Sequence, residues 1–334
     1  MPVVMEDVAA RAGVSATTVS HVLNETRTVA PQTRRRVLEA VRELNYYTNA
    51  SARLLVRGRA DAFGLIISDI ENPFFPELIK SFERACLERR MGVLLCTTNY
   101  DPEQARNGVR RMLESKVKGV AVMTSQLDPE LIEEMAANET PIVLLDGPPA
   151  RRARSNVNID YSHGAEEAIR HLHERGHRRI ALIPGPANRI SAVRYKDALL
   201  AALAKFKLSP VHAIDGNNLP EDGATMTREL LARSQVPSAI VCGNDLMAIG
   251  AMAAAFEAGL RVPEDISIVG ADDIAFARYS HPPLTTVRLP RDQFGQAAFA
   301  LLERMVRTKR RLGGEQTVAT QLLVRQSTGP ARKR

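Results

Sequence analysis

Met5-Glu6-Asp7-Val8-Ala9-Ala10-Arg11-Ala12-Gly13-Val14-Ser15-Ala16-Thr17-Thr18-Val19-Ser20-His21-Val22-Leu23-Asn24 is the stretch on which the reading of this chain turns. Its pattern is helical, with no strand-like alternation, and predicts a first helix over about Met5 to Ala12. Gly13 permits the left-handed turn that stops this helix. Ser15 is a favourable N-cap for a second helix, about Ala16 to Leu23, because its hydroxyl can accept a first-turn backbone N–H. Across the turn Val8, Ala12, Val14, Val19 and Val22 can face one another and close a small helix-turn-helix core. A third helix, about Pro31 to Leu44, adds Val37, Leu38, Val41 and Leu44 at helical spacing, with Pro31 suited to its first turn.

The second helix then turns Ala16, Thr17, Ser20 and His21 outward. These are small or hydrogen-bonding residues with almost no carboxylate among them. That face suits a helix whose amino end, from Ser15 on, enters the major groove and reads base edges. Thr18, Ser20, Asn24 and Thr33 are candidates for phosphate oxygens. Arg34, Arg35 and Arg36 add positive charge; the run reads equally as a phosphate-facing cluster or as an ordinary surface one.

Outward from this module the composition sets limits. The chain has 334 residues, enough for two or three domains, and 45% hydrophobic residues, enough for a sizeable core. Aromatics make up only 4% and Trp is absent, which argues against base-stacking platforms for single strands. Cys86, Cys96 and Cys242 are far apart and no CxxC occurs, which excludes a disulfide framework or zinc finger and fits a reducing, cytoplasmic setting. No apolar run approaches the ~20 residues that span a bilayer. The start of the chain lacks a basic segment before any apolar one, unlike a secretory signal. The net charge of +7 admits a polyanionic partner without requiring one.

Beyond Asp61 the pattern becomes βαβα. Strand candidates are Phe63–Ile67, Gly92–Cys96, Gly119–Met123, Ile142–Leu145, Ile180–Ile183, Ala239–Val241 and Ile266–Gly270. Amphipathic helical stretches such as Glu77–Arg89 and Leu246–Ala258 lie between them. Short strands flanked by helices imply parallel sheets covered on both faces. There are too many for one compact sheet, so two α/β lobes are expected, with a break near the polar stretch Asn156–Asp160. The end of the chain, Gly329 to Arg334, reads as a frayed basic tail.

Ligands of open α/β sheets bind beyond the carboxyl ends of strands. Asn72, Phe74 and Phe75 follow the first strand and offer a polar hook and apolar plates for the C–H faces of a sugar ring, although one of the two rings is expected to pack under the next helix. Asp146, Arg194, Asn244 and Asp272 follow later strands. Asp245 reads as a helix cap, and Asp273 fits either role. Arg189 is either a cleft cation, which would favour an anionic ligand, or a solvated loop residue. His163, His171, His173 and His177 crowd one region, but Gly176 interrupts the helical spacing, and a solvated helix face and cap is preferred to a metal site. No GxGxxG or GxxxxGK[ST] motif occurs, so nothing supports a nucleotide-dependent enzyme.

The runs Asp7-Val8-Ala9, Ala12-Gly13-Val14-Ser15, Thr18-Val19-Ser20, Val22-Leu23-Asn24, Leu44-Asn45-Tyr46 and Asn49-Ala50 closely resemble the LacI/GalR family of bacterial transcription repressors, and the resemblance continues through nearly the whole chain. It implies an N-terminal all-α helix-turn-helix DNA-binding domain over residues 1–48 and a hinge helix or linker over 49–60. Over 61–334 it implies a two-lobed, periplasmic-binding-protein-like core of parallel sheets for ligand binding and dimerisation. Ala16, Thr17 and His21 then sit where relatives read bases; His21 replaces a frequent Arg, so the half-site is expected to differ. Ala30 replaces a usual hydroxyl residue, leaving the third helix less well capped. Asn49 to Leu55 resembles a hinge helix too short to be stable alone. In the family it folds when two protomers meet on DNA. Ala52 allows close approach to the minor groove, and Leu55 matches the wedge that opens a central base step. Pro282 to Val287 matches a family signature near a crossover between the lobes.

The resemblance also makes Asp146, Arg194, Asn244 and Asp272 hydroxyl-binding positions. The family's usual residues are missing at Asp197-Ala198, Ala271 and Leu289, so the ligand's identity does not carry over. The expectation is a homodimer on palindromic double-stranded operator DNA, controlled by a small sugar-like effector, with a purine or sugar acid as the alternative. No catalytic role, cofactor, metal or membrane partner is expected. The end of the chain lacks the apolar heptads that would tie dimers into a tetramer.

Overall fold

The computed structural model describes residues 3–24, 27–46, 60–124, 127–308 and 312–332. The chain divides into two compact units, Met1–Ala60 and Asp61–Arg334.

In the first unit, α1 (Met5–Ala12), α2 (Ala16–Asn24) and α3 (Pro31–Glu43) enclose Val8, Val19 and Val37, with Ala9, Ala12, Val22 and Ala40 around them. Gly13 takes φ +66°, and the turn closes through Gly13 N–H to Ala10 O and Val14 N–H to Ala9 O. A left-handed residue at this point is what glycine supplies without a Cβ clash. Ser15 caps α2: its Oγ accepts the Thr18 N–H at 3.1 Å. Pro31 opens α3, and Ala30 before it offers no side-chain cap.

The second unit begins with β1 (Ala62–Ile67), α4 (Phe74–Glu88), β2 (Gly92–Thr97), α5 (Pro102–Glu114), β3 (Val120–Met123), α6 (Pro129–Ala137), β4 (Ile142–Leu145) and β5 (Arg154–Asp160). The chain then crosses to a second lobe of α7 (Tyr161–Glu174), β6 (Ile180–Ile183), α8 (Ile190–Lys205), β7 (His212–Ala213), α9 (Pro220–Leu231), β8 (Ala239–Cys242), α10 (Asp245–Glu257), β9 (Ser267–Asp272) and β10 (Thr285–Arg288). It returns as α11 (Arg291–Arg307) and β11 (Glu315–Ala319) and crosses a third time into β12 (Gln321–Leu323). The sheet orders are β11-β5-β4-β3-β1-β2 and β12-β10-β9-β8-β6-β7, and every pairing is parallel except β10 with β12. The buried strands explain the apolar runs: Leu65, Ile66 and Ile67, like Ile180 to Ile183, are covered on both faces.

Three expectations need correction. The crossover between the lobes follows Asp160, at the end of the expected stretch, but Asn156–Asp160 itself is the body of β5 and not a connecting segment. Ser155 and Asn156 of this strand are buried: Ser155 Oγ accepts the Gly314 N–H at 3.0 Å, and Asn156 Nδ2 donates to Pro148 O at 2.5 Å. The tail is not frayed up to Arg332. Ile268 N–H donates to Ser327 O at 2.9 Å, Gly329 N–H to Ser267 Oγ at 3.0 Å and Ala331 N–H to Arg175 O at 2.8 Å. The histidine-rich stretch is not simply solvated either. His171 and His177 are buried and hold that tail, through Thr328 Oγ1 at 2.8 Å and Gly329 O at 3.0 Å.

Candidate functional site

Two surfaces carry the candidate residues. On the first unit, Thr17 is exposed, and Ser20, His21, Thr18, Asn24 and Thr33 are half-buried. Ala16 packs in part against the head's own core. Ser15 is engaged with Thr18 by its capping bond and a hydroxyl pair at 2.9 Å, and Asn24 Nδ2 donates to Ser20 Oγ at 3.1 Å. These bonds stiffen α2 and leave Thr17 as its most accessible polar side chain in the first turn. No acidic residue lies in that turn, so the positive end of the helix dipole is not neutralised there. Arg34, Arg35 and Arg36 are exposed at the start of α3. Asn49, Ala52 and Leu55 lie outside the described residues.

In the second unit the strand order of each sheet reverses once, between β1 and β3 and between β6 and β8. Such switch points open crevices at the carboxyl ends of strands, and here both contribute to one cleft of about 120 Å³. Ser68, Met123, Thr124 and Leu145 come from the ends of β1, β3 and β4, and Gly185, Gly243, Asn244 and Asp272 from β6, β8 and β9. Asn72, Phe74, Phe75, Arg189, Asn244 and Asp272 all line it, as do Ala271 and Leu289. Asp146 and Arg194 do not belong to the lining. Arg194 Nη1 lies 3.1 Å from Asp146 Oδ1, which also accepts the Ile159 N–H at 2.9 Å, while Tyr161 Oη donates to Oδ2 at 2.8 Å. Burial raises the Asp146 pKa, and these bonds and the Arg194 charge oppose the rise.

The walls are aromatic. Phe74 and Phe75 open α4 with their rings edge to face, 5.2 Å apart. Both are buried, yet both reach the cleft. Asn72 Oδ1 accepts the Phe74 N–H at 2.9 Å and fixes this turn. Across the cleft, the Tyr161 and Tyr195 ring centroids stand 6.0 Å apart. The Arg189 guanidinium lies 3.6 Å from the centroid of Tyr100, a cation–π contact from one lobe to the other. Arg189 therefore faces the cleft rather than solvent alone.

Several polar groups at the cleft are already spent inside the protein. Asn244, not Asp245, caps α10: its Oδ1 accepts the Met247 N–H at 2.8 Å and its Nδ2 donates to Asn218 O at 3.0 Å. Asp245 is buried behind the cleft and accepts from Ile274 N–H at 2.8 Å and Thr286 Oγ1 at 2.5 Å; burial pushes its carboxyl up to about 7. Among the described residues no side chain or backbone donor is bonded to the carboxylate of Asp272, and burial, with Asp245 nearby, raises its pKa well above the usual range. Tyr195 Oη and Arg189 Nε are buried without a hydrogen-bond partner. The cleft thus offers the Asp272 carboxylate, Tyr195 Oη and Arg189 Nε, with the polar side chains of Asn72, Ser191 and Asn218 beside them, between aromatic plates. Among the described residues no group of His, Cys, Asp and Glu is arranged to hold a metal ion.

Sequence reasoning missed Ser68, Tyr100, Thr124, Tyr161, Ser191, Tyr195 and Asn218 in this lining. The strand-end rule points to Ser68, Thr124 and Tyr161. Tyr195 lies inside a helix and carries no such signal.

Residues 4–49 match the family model for bacterial regulatory proteins of the lacI family, and residues 169–328 match a periplasmic binding protein-like domain. The chain is 39% identical over 306 residues to an HTH-type transcriptional repressor PurR of Haemophilus influenzae, covering 90% of each chain. It is 40% identical over 307 residues to PurR of Proteus mirabilis, again covering 90% of each. A lac repressor dimer bound to operator and an anti-inducer superposes with a TM-score of 0.89 at 29% identity, covering 98% of this chain and 100% of the other. The transcriptional regulator CelR with cellobiose superposes with a TM-score of 0.74 at 29% identity, covering 97% and 99%. With a helix-turn-helix head and a two-lobed core that both match, this chain belongs to the lacI family of bacterial transcriptional regulators and is a ligand-responsive repressor.

Proposed function

We propose that the effector of this repressor is a flat nitrogen heterocycle of the purine class, bound between the Phe74–Phe75 plates and the Tyr161–Tyr195 wall. One observation carries the reading. Asp146 and Asn244, the groups a polyol would need, spend their polar atoms inside the protein, whereas the Asp272 carboxylate has no protein partner. A single unpaired carboxylate matches a ring N–H donor, and Tyr195 Oη and Arg189 Nε match ring or exocyclic polar atoms. Aromatic plates favour a π-face over a puckered ring. The 38–40% identity to PurR repressors supports the same choice.

The protein acts as a homodimer that sets two α2 helices in successive major grooves of a palindromic site of about 14–20 bp. Ala16, Thr17 and His21 read bases there, Thr18, Ser20, Asn24 and Thr33 meet phosphates, and Asn49, Ala52 and Leu55 serve the hinge. Effector and operator affect each other's affinity by the same factor.

A thermal-shift panel of hypoxanthine, guanine and adenine against ribose, cellobiose and gluconate tests the effector. A purine at 100 times its Kd is expected to add about 2.7 kcal/mol; stabilisation by a sugar alone would replace the purine with that sugar. Deleting residues 1–60 is expected to abolish operator binding and keep effector binding. Leu55→Ala is expected to lose specific binding without loss of fold; wild-type affinity would remove the wedge.

A further inference from the structure

Two consecutive non-glycine residues at the end of β9 hold left-handed backbone, Asp272 at φ +109° and Asp273 at φ +58°. Such conformations cost about 1–3 kcal/mol each and persist only where the surroundings over-determine them. Here the Asp273 side chain is held by Arg325, Arg278 and Arg288 and its N–H donates to Thr286 Oγ1 at 3.4 Å, while one side chain, Arg291, holds both carbonyls of the turn. Arg291, the first residue of α11, is buried, and its Nη1 donates to Asp272 O and its Nη2 to Asp273 O, each at 2.7 Å. The same guanidinium reaches the other lobe, where Nε and Nη2 donate to Glu77 Oε2 at 2.9 and 2.5 Å. Its carbon lies 5.8 Å from the centre of the Phe74 ring.

The direction of the Asp272 side chain follows from its backbone, so whatever holds that backbone aims the carboxylate. Glu77 lies in the first turn of α4, the turn that Phe74 and Phe75 open. One planar group therefore holds the acidic wall of the cleft and its aromatic wall in register. We propose that Arg291 is the positioning residue of the cleft: it clamps the Asp272–Asp273 turn against α4, so that engagement of Asp272 passes to the Glu77 face of the first lobe. This rests on the reading that Asp272 meets the effector. Arg291 itself is not part of the lining. Lysine keeps the charge but is a point donor that cannot reproduce a fork over two carbonyls and a carboxylate.

The test uses full-length protein with Arg291→Lys and Glu77→Gln, and with Arg307→Lys, an exposed arginine at the far end of α11, as the control. The first readout is amide hydrogen exchange without ligand. In Arg291→Lys, exchange over residues 270–275 is expected to quicken by about tenfold or more, with β6 and β8 unchanged; unaltered exchange in that turn overturns the clamp. The second is hypoxanthine titration with and without a palindromic duplex selected on the wild type. Arg291→Lys is expected to weaken hypoxanthine by about tenfold. Glu77→Gln is expected to keep most of the affinity but shrink the factor by which hypoxanthine changes duplex binding. A purely structural Arg291 would lower stability and leave that factor as in the wild type, which overturns the coupling. If hypoxanthine fails to bind the wild type, the purine reading falls, and the exchange result still decides the clamp.

Discussion

Gly223 in α9 and Gly250 in α10 let two helices meet backbone to backbone, and replacing either tests how tightly the cleft's second lobe is built. A Cβ at position 250 would stand 1.8 Å from Pro220 O, and one at position 223 would stand 2.0 Å from Met247 O. A relaxed C···O contact is about 3.3 Å, so Gly250→Ala must push α10 from the start of α9 by about 1.5 Å. The obstructing atoms are backbone, and no side chain can rotate away. Overpacking costs about 1–3 kcal/mol, and with rigid atoms on both sides the upper figure applies. Alanine's better helix propensity returns about 1 kcal/mol, leaving a net loss of about 2 kcal/mol. For a domain of this size each kcal/mol moves the Tm by about 2–4 °C, so a fall of about 4–8 °C is expected by calorimetry. Gly92→Ala is the control, because its Cβ would meet Ala62 Cβ and Asp61 O at an ordinary 3.8 Å. The double variant Gly223→Ala/Gly250→Ala should lose less than the sum, since one displacement relieves both clashes. The α10 start carries Asn244, so effector affinity should fall as well. A Gly250→Ala protein that melts with the wild type would refute the close-packing argument.

Further outcomes follow from the same geometry. Tyr100→Ala removes the Arg189 stack between the lobes, worth about 0.5–2 kcal/mol, and should weaken the effector by titration, whereas Tyr100→Phe should not; equal loss in both would assign the effect to the hydroxyl. Ala30→Ser supplies the missing cap of α3 and should slow amide exchange in that helix by about 0.5–1 kcal/mol; unchanged exchange would tell against it. Burial, with the charges of Arg175 and His177, lowers His171 from 6.5 to about 4, so the folded state holds fewer protons between those values. Its contribution of about 3 kcal/mol is present above pH 6.5 and lost as pH falls through 4; His171→Gln should flatten that slope in denaturant titrations, and an unaltered slope would clear His171. Asp245, pushed up to about 7 by burial, works in the opposite sense. Its stability is present below pH 3.8 and lost as pH rises through 7, so Asp245→Asn should gain on the wild type between pH 5 and 8. A constant difference across that range would contradict it.

Much of the fold was legible because it is local. Gly13, Ser15 and Pro31 each act within one turn of their own position, and the apolar strands β1, β3, β4, β6 and β8 announce themselves by burial on both faces. β5 was not legible, because Ser155 and Asn156 are polar and their partners, Gly314 N–H on Ser155 Oγ and Pro148 O under Asn156 Nδ2, are set only by the fold. β11 depends on a partner strand more than 150 residues away, as do the two histidines that hold the tail, and β12 pairs antiparallel with β10. In the cleft, the strand-end rule located Asn72, Phe74, Phe75, Asn244 and Asp272, but it does not say which polar atoms are already spent.

That last distinction divides what each level decided. Taken alone, the sequence determined a helix-turn-helix head, a parallel α/β core and the strand ends at which a ligand can bind, because capping, periodicity and burial act over a few residues. Only the tertiary structure decided that Asp146 pairs with Arg194, that Asn244 is a cap, and that Asp272 stays unpaired with Arg291 behind it. Hydrogen-bond capacity is finite, and its use is settled by which residues the lobes bring within 3 Å of one another.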